Sequence, residues 1–139
     1  MPAYDDSNIF GRMLRGEIPA ITVYEDEDTL VIMDIMPQTK GHCLIIPKAP
    51  SRNLLDASDE ALARTIPIVA KIARAAKKAF EADGVQIIQF NEEAAGQTVF
   101  HLHFHVIPSY AGTESRKHAA GEVDRDVLKE HCEAIKAAL

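Results

Sequence analysis

The sequence His101-Leu102-His103-Phe104-His105-Val106-Ile107 alternates imidazoles with apolar side chains. This alternation predicts an extended strand over Thr98 to Pro108, because successive side chains of a strand point to opposite faces. The three histidines would then share one face at intervals of about 6.6–6.8 Å. Each buried imidazole needs hydrogen-bond partners at both ring nitrogens, so three such rings are poor core filling. The stretch therefore indicates a functional surface.

Three interpretations fit this histidine face. The first is a solvated strand face without chemistry. The second is a zinc or copper site, because His-x-His on a strand is a known ligand geometry and His42 or Glu92 could add a third ligand. The third is nucleophilic catalysis at phosphorus, because a neutral imidazole with a pKa of about 6.5 is a good nucleophile near pH 7.

The turn before the strand, Ala94-Ala95-Gly96-Gln97-Thr98, helps to choose among these interpretations. A glycine in a turn lets backbone N–H groups approach an anion closely, and Thr98 adds a hydroxyl. Because this turn lies next to the clustered histidines, it favours phosphate over a metal ion.

Composition limits the class of protein. With 139 residues, 47% of them hydrophobic and 26% charged, the chain is expected to be one folded domain over residues 1–139. A net charge of −6 disfavours nucleic-acid binding, although a small anionic ligand could still fit a local pocket. The two cysteines, Cys43 and Cys132, favour a reduced, cytoplasmic protein. Neither a signal peptide nor a membrane span is expected.

The rest of the chain predicts an antiparallel α+β fold. Four further apolar runs have the length and composition of strands: 21–25, 29–35, 42–46 and 85–90. Most connections between them are too short for parallel crossovers. Helices are predicted over residues 8–15 with Ser7 as N-cap, after Ser58, and after Asp124.

These motifs resemble the histidine triad (HIT) family, whose signature is His-φ-His-φ-His-φ-φ with φ apolar. Residues 101–107 match all seven positions. Residues 9–20 resemble the family's N-terminal helix and Glu-Ile-Pro turn, and residues 34–48 resemble its Asp-Ile-x-Pro and Gly-His-x-Leu-Val-Ile-Pro-Lys blocks. The resemblance covers a core of about residues 8–110 and leaves 111–139 as a C-terminal extension. It implies a HIT-like fold, with about five antiparallel strands, a long helix and shorter terminal helices, and a homodimer.

The resemblance also implies hydrolysis of the bond between a nucleoside α-phosphate and a leaving group, without a metal or other cofactor. His103 would be the nucleophile, His42 and His105 would stabilise charge on the phosphate, and His101 would support them. A purine nucleoside phosphoramidase acting on an AMP or GMP moiety is the leading expectation. The alternatives are a dinucleoside polyphosphate hydrolase and a nucleotide-binding scaffold with incidental catalysis.

The same resemblance assigns residues to the substrate. Asp34 would accept hydrogen bonds from the ribose hydroxyls, and Gly96, Gln97 and Thr98 would contact phosphate oxygens and the leaving group. Apolar side chains would sandwich the base, with ordinary core packing as the alternative for each: Ile9, Phe10, Ile32, Ile35 and Leu44.

Four positions depart from the family pattern or fall outside it. Asn91 lies one place from the polar amide that many relatives carry, so it is only a candidate for the substrate site. Asn8 and Gly11 stand where some relatives have the Cys-x-x-Cys of a structural zinc site, so no such zinc is expected. His118, in a polar run, is expected to be solvated.

Overall fold

The computed structural model describes residues 1–113 and 121–139. In these residues, five strands form one sheet: β1 (Thr22–Glu25), β2 (Thr29–Met33), β3 (Cys43–Pro47), β4 (Gly84–Ile88) and β5 (Phe104–Ser109). The strands lie in the order β1-β2-β3-β5-β4, and every neighbouring pair is antiparallel. The predicted antiparallel α+β architecture is confirmed.

The described chain also forms the three predicted helices, α1 (Ile9–Leu14), α2 (Asp59–Ala79) and α3 (Arg125–Ala138). Ser58 and Asp124 cap α2 and α3 as predicted. The prediction of Ser7 as the cap of α1 is wrong. Asn8 is the cap and accepts a hydrogen bond from the Gly11 N–H at 2.9 Å, while the Ser7 hydroxyl donates to Asp5.

The two faces of the sheet bury different neighbours because side chains alternate along each strand. One face packs beneath α2 and α3, with Val31, Ile45 and Val106 in its apolar core. The opposite face carries a smaller cluster that includes Leu44 and the α1 residue Phe10. Helix α3 belongs to the C-terminal extension and buries Leu128, Cys132 and Ile135. The packing of α3 on the sheet is consistent with a single domain over residues 1–139. The single-domain organisation stays a prediction.

Strand β5 is shorter than the predicted strand over Thr98 to Pro108, because it begins only at Phe104. Its pairing with β3 ends at Ile45↔Phe104, so His101 and His103 precede the ladder. Continuing the register would bring Leu102 opposite Pro47, which has no N–H to donate. The Leu102 N–H instead donates to the Ser51 carbonyl at 3.0 Å.

Two other sequence predictions concern thiols and exposed residues. Cys43 and Cys132 are both buried free thiols, and burial raises the pKa of each. The prediction for His118 falls on residues 114–120, outside the described part of the chain.

Among residues 1–113 and 121–139, no helix has the length and apolar character needed to cross a membrane.

Candidate active site

Four histidines gather on the sheet face that carries α1. The exposed fractions of His42, His101, His103 and His105 are 0%, 1%, 8% and 3%, so His103 is the most accessible. The His103 and His105 ring centroids are 5.2 Å apart, as are those of His42 and His105. His101 lies apart from this trio, with its ring 5.5 Å from that of Tyr4.

The geometry of His103 assigns its tautomer. Its Nδ1 lies 2.6 Å from the backbone carbonyl oxygen of His101. A carbonyl oxygen only accepts, so Nδ1 carries the proton and the lone pair of the neutral ring is on Nε2. The Phe10 ring meets His103 edge-on at 4.8 Å between centroids. In its neutral form, His103 therefore carries its lone pair on Nε2.

His42 and His105 form a hydrogen-bonded relay. The Gln38 N–H donates to His42 Nδ1 at 3.0 Å, which puts the proton of neutral His42 on Nε2. His42 Nε2 is 2.9 Å from His105 Nδ1 and 3.4 Å from Asp34 Oδ2. His105 Nδ1 therefore accepts, and the proton of neutral His105 lies on Nε2. His105, whose ring lies next to that of His103, can therefore donate a hydrogen bond through Nε2.

His101 is anchored at both ring nitrogens. Its Nε2 donates to the Pro47 carbonyl oxygen at 2.7 Å, and its Nδ1 accepts from the Tyr4 hydroxyl at 2.6 Å. Burial lowers the pKa of His101 below its ordinary value, and the hydrogen bond to Pro47 partly opposes this shift. A neutral imidazole is the favoured state in this environment.

A row of apolar side chains leads across the sheet to the histidines. Ile32 pairs with Leu44, and Leu44 pairs with His105 in the register of three neighbouring strands. Phe10, Ile32 and Leu44 are buried in one cluster, whereas Ile9 of α1 is 41% exposed. Ile35 is half-buried in the loop after β2.

Asp34 directly follows β2, where its N–H donates to the His42 carbonyl, and it is 7% exposed. Its Oδ1 accepts the Met36 N–H at 2.8 Å, and its Oδ2 faces His42. One carboxylate oxygen thus shapes the loop after β2, while the other faces the relay.

The predicted phosphate loop lies close to His105 through Phe90. The Phe90 ring is 5.8 Å from the His105 ring, and a Cβ on Gly96 would come within 3.2 Å of Phe90. Gly96 also has φ +106°, a conformation that favours glycine. Thr98 is exposed at the end of the loop.

The side chains of Gln97 and Asn91 bind protein groups around this loop. Gln97 is 2% exposed; its Nε2 donates to the Arg52 and Val99 carbonyls, and its Oε1 accepts from the Asn53 amide and the Glu92 N–H. The Asn91 side chain accepts the Leu54 N–H at 2.9 Å and pairs with the Gln89 amide. Both amides hold the loop to its neighbours.

Sequence reasoning missed the clamp on this loop. Glu92 has φ 75° and ψ 158°, in a region almost restricted to glycine. Its carboxylate accepts two hydrogen bonds from Arg52, at 2.8 and 3.0 Å, and one from Asn53 at 2.6 Å. The Arg52 hydrogen bond lowers the pKa of Glu92. Residues 40 positions apart leave no periodic signal, so no sequence pattern could have revealed this pair.

Asp34, His42 and His105 are close enough to be considered as metal ligands, since one donor atom of each lies within 4.8 Å of the others. However, the Gln38 N–H places the His42 proton on Nε2, the atom that faces the cluster. A metal ion would need a lone pair on that atom. The arrangement therefore favours a hydrogen-bond relay over a metal centre.

Comparison with known proteins identifies relatives over most of the chain. The HIT domain matches residues 15–112. A Hit-like protein from Bartonella henselae, described as involved in cell-cycle regulation and crystallised with an unknown ligand, is 52% identical, with a TM-score of 0.92 over 99% of this chain and 100% of that chain. A zinc-bound histidine triad family protein from Mycobacterium smegmatis is 39% identical, with a TM-score of 0.84 over 95% of this chain and 92% of that chain.

A third relative carries a named activity. The adenosine 5'-monophosphoramidase hnt1 of Schizosaccharomyces pombe is 37% identical over 102 residues, which are 73% of this chain and 74% of that protein. The domain match and these similarities confirm the resemblance and the HIT-like fold. The chain belongs to the histidine triad (HIT) family.

Proposed function

We propose that this protein is a nucleotide hydrolase that cleaves the bond between a purine nucleoside α-phosphate and an amine leaving group, through a covalent nucleotidyl-His103 intermediate. The observation that carries the proposal is the tautomer assignment of two adjoining rings. The His101 carbonyl directs the His103 lone pair to Nε2, and the His42–His105 relay directs a proton to His105 Nε2. A nucleophile beside an N–H donor is what displacement at phosphorus requires.

In the first step, His103 Nε2 attacks the α-phosphorus and forms a P–N bond. The bond from phosphorus to the leaving nitrogen breaks, and its electron pair leaves with the amine, which takes up a proton from solvent that is balanced by the proton lost from water in the second step. The His105 N–H stabilises negative charge that spreads over the phosphoryl oxygens. The positive charge on the modified His103 ring is stabilised by its Nδ1–H bond to the His101 carbonyl.

In the second step, water attacks the same phosphorus. The P–N bond breaks, its electron pair returns to His103 Nε2, and the nucleoside monophosphate leaves after the water has lost a proton. Two displacements at one site require positioned groups and little else from the protein. No cofactor takes part in the proposed cycle.

Substrate recognition is assigned to the surfaces around the histidines. Asp34 would bind the ribose hydroxyls, and the apolar row would hold the base of an AMP or GMP moiety: Ile9, Phe10, Ile32, Ile35 and Leu44. Backbone groups of Gly96 and Gln97 and the exposed Thr98 hydroxyl would contact phosphate oxygens or the leaving group. The similarity to the adenosine 5'-monophosphoramidase supports a phosphoramidate substrate.

We also propose a homodimer in the cytoplasm. Strand β4 lies at one end of the described sheet and exposes 47% of Ile87, so it is suited to pair with a second copy. The two free thiols suit a reducing compartment. Light scattering should give twice the chain mass for the wild type and a lower mass for Ile87→Glu. A wild-type mass equal to that of a single chain would contradict the dimer.

The test of the activity compares adenosine 5'-phosphoramidate with diadenosine tetraphosphate as substrates of the wild type and His103→Ala. We expect a higher kcat/KM for the phosphoramidate, and a loss of at least about 10³-fold in His103→Ala because the nucleophile is gone. His131→Ala is the control, because His131 lies on α3 and packs against Phe80 at the end of α2. Near wild-type turnover in His103→Ala would refute the mechanism. Faster cleavage of the tetraphosphate would identify a dinucleoside polyphosphate hydrolase, and tight binding without turnover would identify a scaffold.

A further inference from the structure

We infer that Tyr4 is a positioning residue for His103, because its hydroxyl holds the His101 ring and, through it, the backbone carbonyl that orients the nucleophile. The inference rests on the proposed function, in which His103 attacks phosphorus. The HIT domain match begins at residue 15, so the segment that carries Tyr4 lies outside the matched region.

The contacts of Tyr4 form a continuous chain of hydrogen bonds. The Asn8 side-chain amide donates to the Tyr4 hydroxyl oxygen at 3.1 Å, and that hydroxyl donates to His101 Nδ1 at 2.6 Å. His101 Nε2 then donates to the Pro47 carbonyl at 2.7 Å. The His101 ring is thus fixed between the N-terminal segment and the end of β3.

His101 lies outside the strand ladder, so its ring contacts and the hydrogen bond from the Leu102 N–H to the Ser51 carbonyl hold it in place of strand pairing. The β3–β5 ladder ends at Phe104, three residues later. Yet the His101 carbonyl is the group that accepts the His103 Nδ1–H at 2.6 Å, so its position sets both the tautomer and the direction of His103 Nε2. Displacing a reacting group by about 1 Å can cost about 10²-fold in rate.

Asn8 links this chain of contacts to α1. Its Oδ1 accepts the Gly11 N–H as the helix cap, while its Nδ2 donates to Tyr4. Helix α1 in turn carries Phe10, whose ring meets His103 edge-on. Asn8→Asp keeps an oxygen that caps the helix and removes the amide hydrogens that reach the Tyr4 hydroxyl and the Asp5 carbonyl.

The first test is steady-state hydrolysis of adenosine 5'-phosphoramidate by Tyr4→Phe, which keeps the aromatic ring and removes the hydroxyl. We expect kcat to fall by about 10-fold to 10²-fold, with KM within about two-fold of the wild type, because orientation and not binding is disturbed. Asn8→Asp should also lower kcat, because a carboxylate oxygen at this position competes with His101 Nδ1 for the Tyr4 hydroxyl proton. Tyr24→Phe is the matched control, because its hydroxyl donates to Asp26 next to the edge strand β1, and it should leave kcat unchanged.

The second test reads the histidine tautomers by ¹⁵N NMR of the imidazole rings and needs no substrate. The wild type should show His103 with its proton on Nδ1 only, and Tyr4→Phe should populate the Nε2–H form as well. Wild-type kcat and a wild-type His103 tautomer in Tyr4→Phe would overturn the inference. So would a rise in KM or a loss of stability with the tautomer unchanged. If the wild type hydrolyses no nucleotide, the proposed function fails, and the NMR result still decides whether Tyr4 orients His103.

Discussion

The two faces of the central sheet use neighbouring residues of the same strands for different purposes. On the face covered by α2 and α3, Ile45 lies opposite Phe104, and both are buried in an apolar cluster. One residue along, on the α1 face, Leu44 lies opposite His105, where the apolar row meets the histidine relay. The alternation of side chains lets one strand pair supply stability and chemistry at once. Substitutions at adjacent positions should therefore affect different measurements.

The largest expected effect on stability is on the α2 and α3 face. Ile45 is fully buried, so Ile45→Ala should lower the free energy of unfolding by about 2–5 kcal/mol because it leaves a cavity. Urea unfolding measures the loss, and kcat at low temperature should be unchanged per folded molecule. Leu44→Ala, on the other face, should also raise KM for the nucleotide. Equal changes of KM in Ile45→Ala and Leu44→Ala would contradict the assignment of different roles to the two faces.

On the histidine face, the expected loss is in rate. His105→Ala removes the N–H donor next to His103 and should lower kcat by about 10²–10³-fold, as removal of a single donor to a developing oxyanion does. Phe104→Leu, one residue earlier on the opposite face, should lower the urea midpoint and leave kcat per folded molecule near wild type. A similar fall of kcat in both variants would show that His105 acts through packing only.

A smaller effect is expected in the clamp that holds the phosphate loop. Asn53 is fully buried and donates to Glu92 and Gln97, so Asn53→Ala should cost about 1–3 kcal/mol of stability and also reduce kcat/KM. Ser58→Ala removes the cap of α2 instead and should cost about 1 kcal/mol without a change in kcat/KM. Unchanged kcat/KM in Asn53→Ala would separate the clamp from the active site.

The smallest effect concerns pH. Folding lowers the pKa of His101 below its ordinary value of 6.5. As the pH falls, the His101 imidazole therefore becomes protonated in the unfolded chain before it does so in the folded one. The free energy of unfolding decreases below about pH 6.5 as a result. The variant His101→Asn lacks this group, so its stability deficit relative to the wild type should shrink between pH 7.5 and pH 5. Urea midpoints at the two pH values measure it. A deficit that grows at pH 5 would contradict a neutral, buried His101.

The same contrast explains what the sequence could predict. Alternation located the strands and placed His105 and Phe104 on opposite faces, because local periodicity follows side-chain direction. It placed the start of β5 too early, because the missing N–H of Pro47 and the Leu102–Ser51 hydrogen bond end the ladder. A periodic pattern carries no information about such long-range contacts.

Other contacts of the site also join residues far apart in the chain. Tyr4 meets His101 across 97 positions, and Arg52 meets Glu92 across 40. The family motifs offered the histidines and Asp34 as candidates, but only the folded geometry assigns the tautomers of the histidines. It also turns the Gln97 amide toward Arg52 and Asn53.

The most direct test of the central claim is intact-mass analysis of the wild-type protein quenched during turnover of adenosine 5'-phosphoramidate. We predict a transient adenylyl adduct that peptide mapping places on His103 and that does not form in His103→Ala. Turnover without an adduct at any quench time, or an adduct on another histidine, would contradict His103 as the nucleophile.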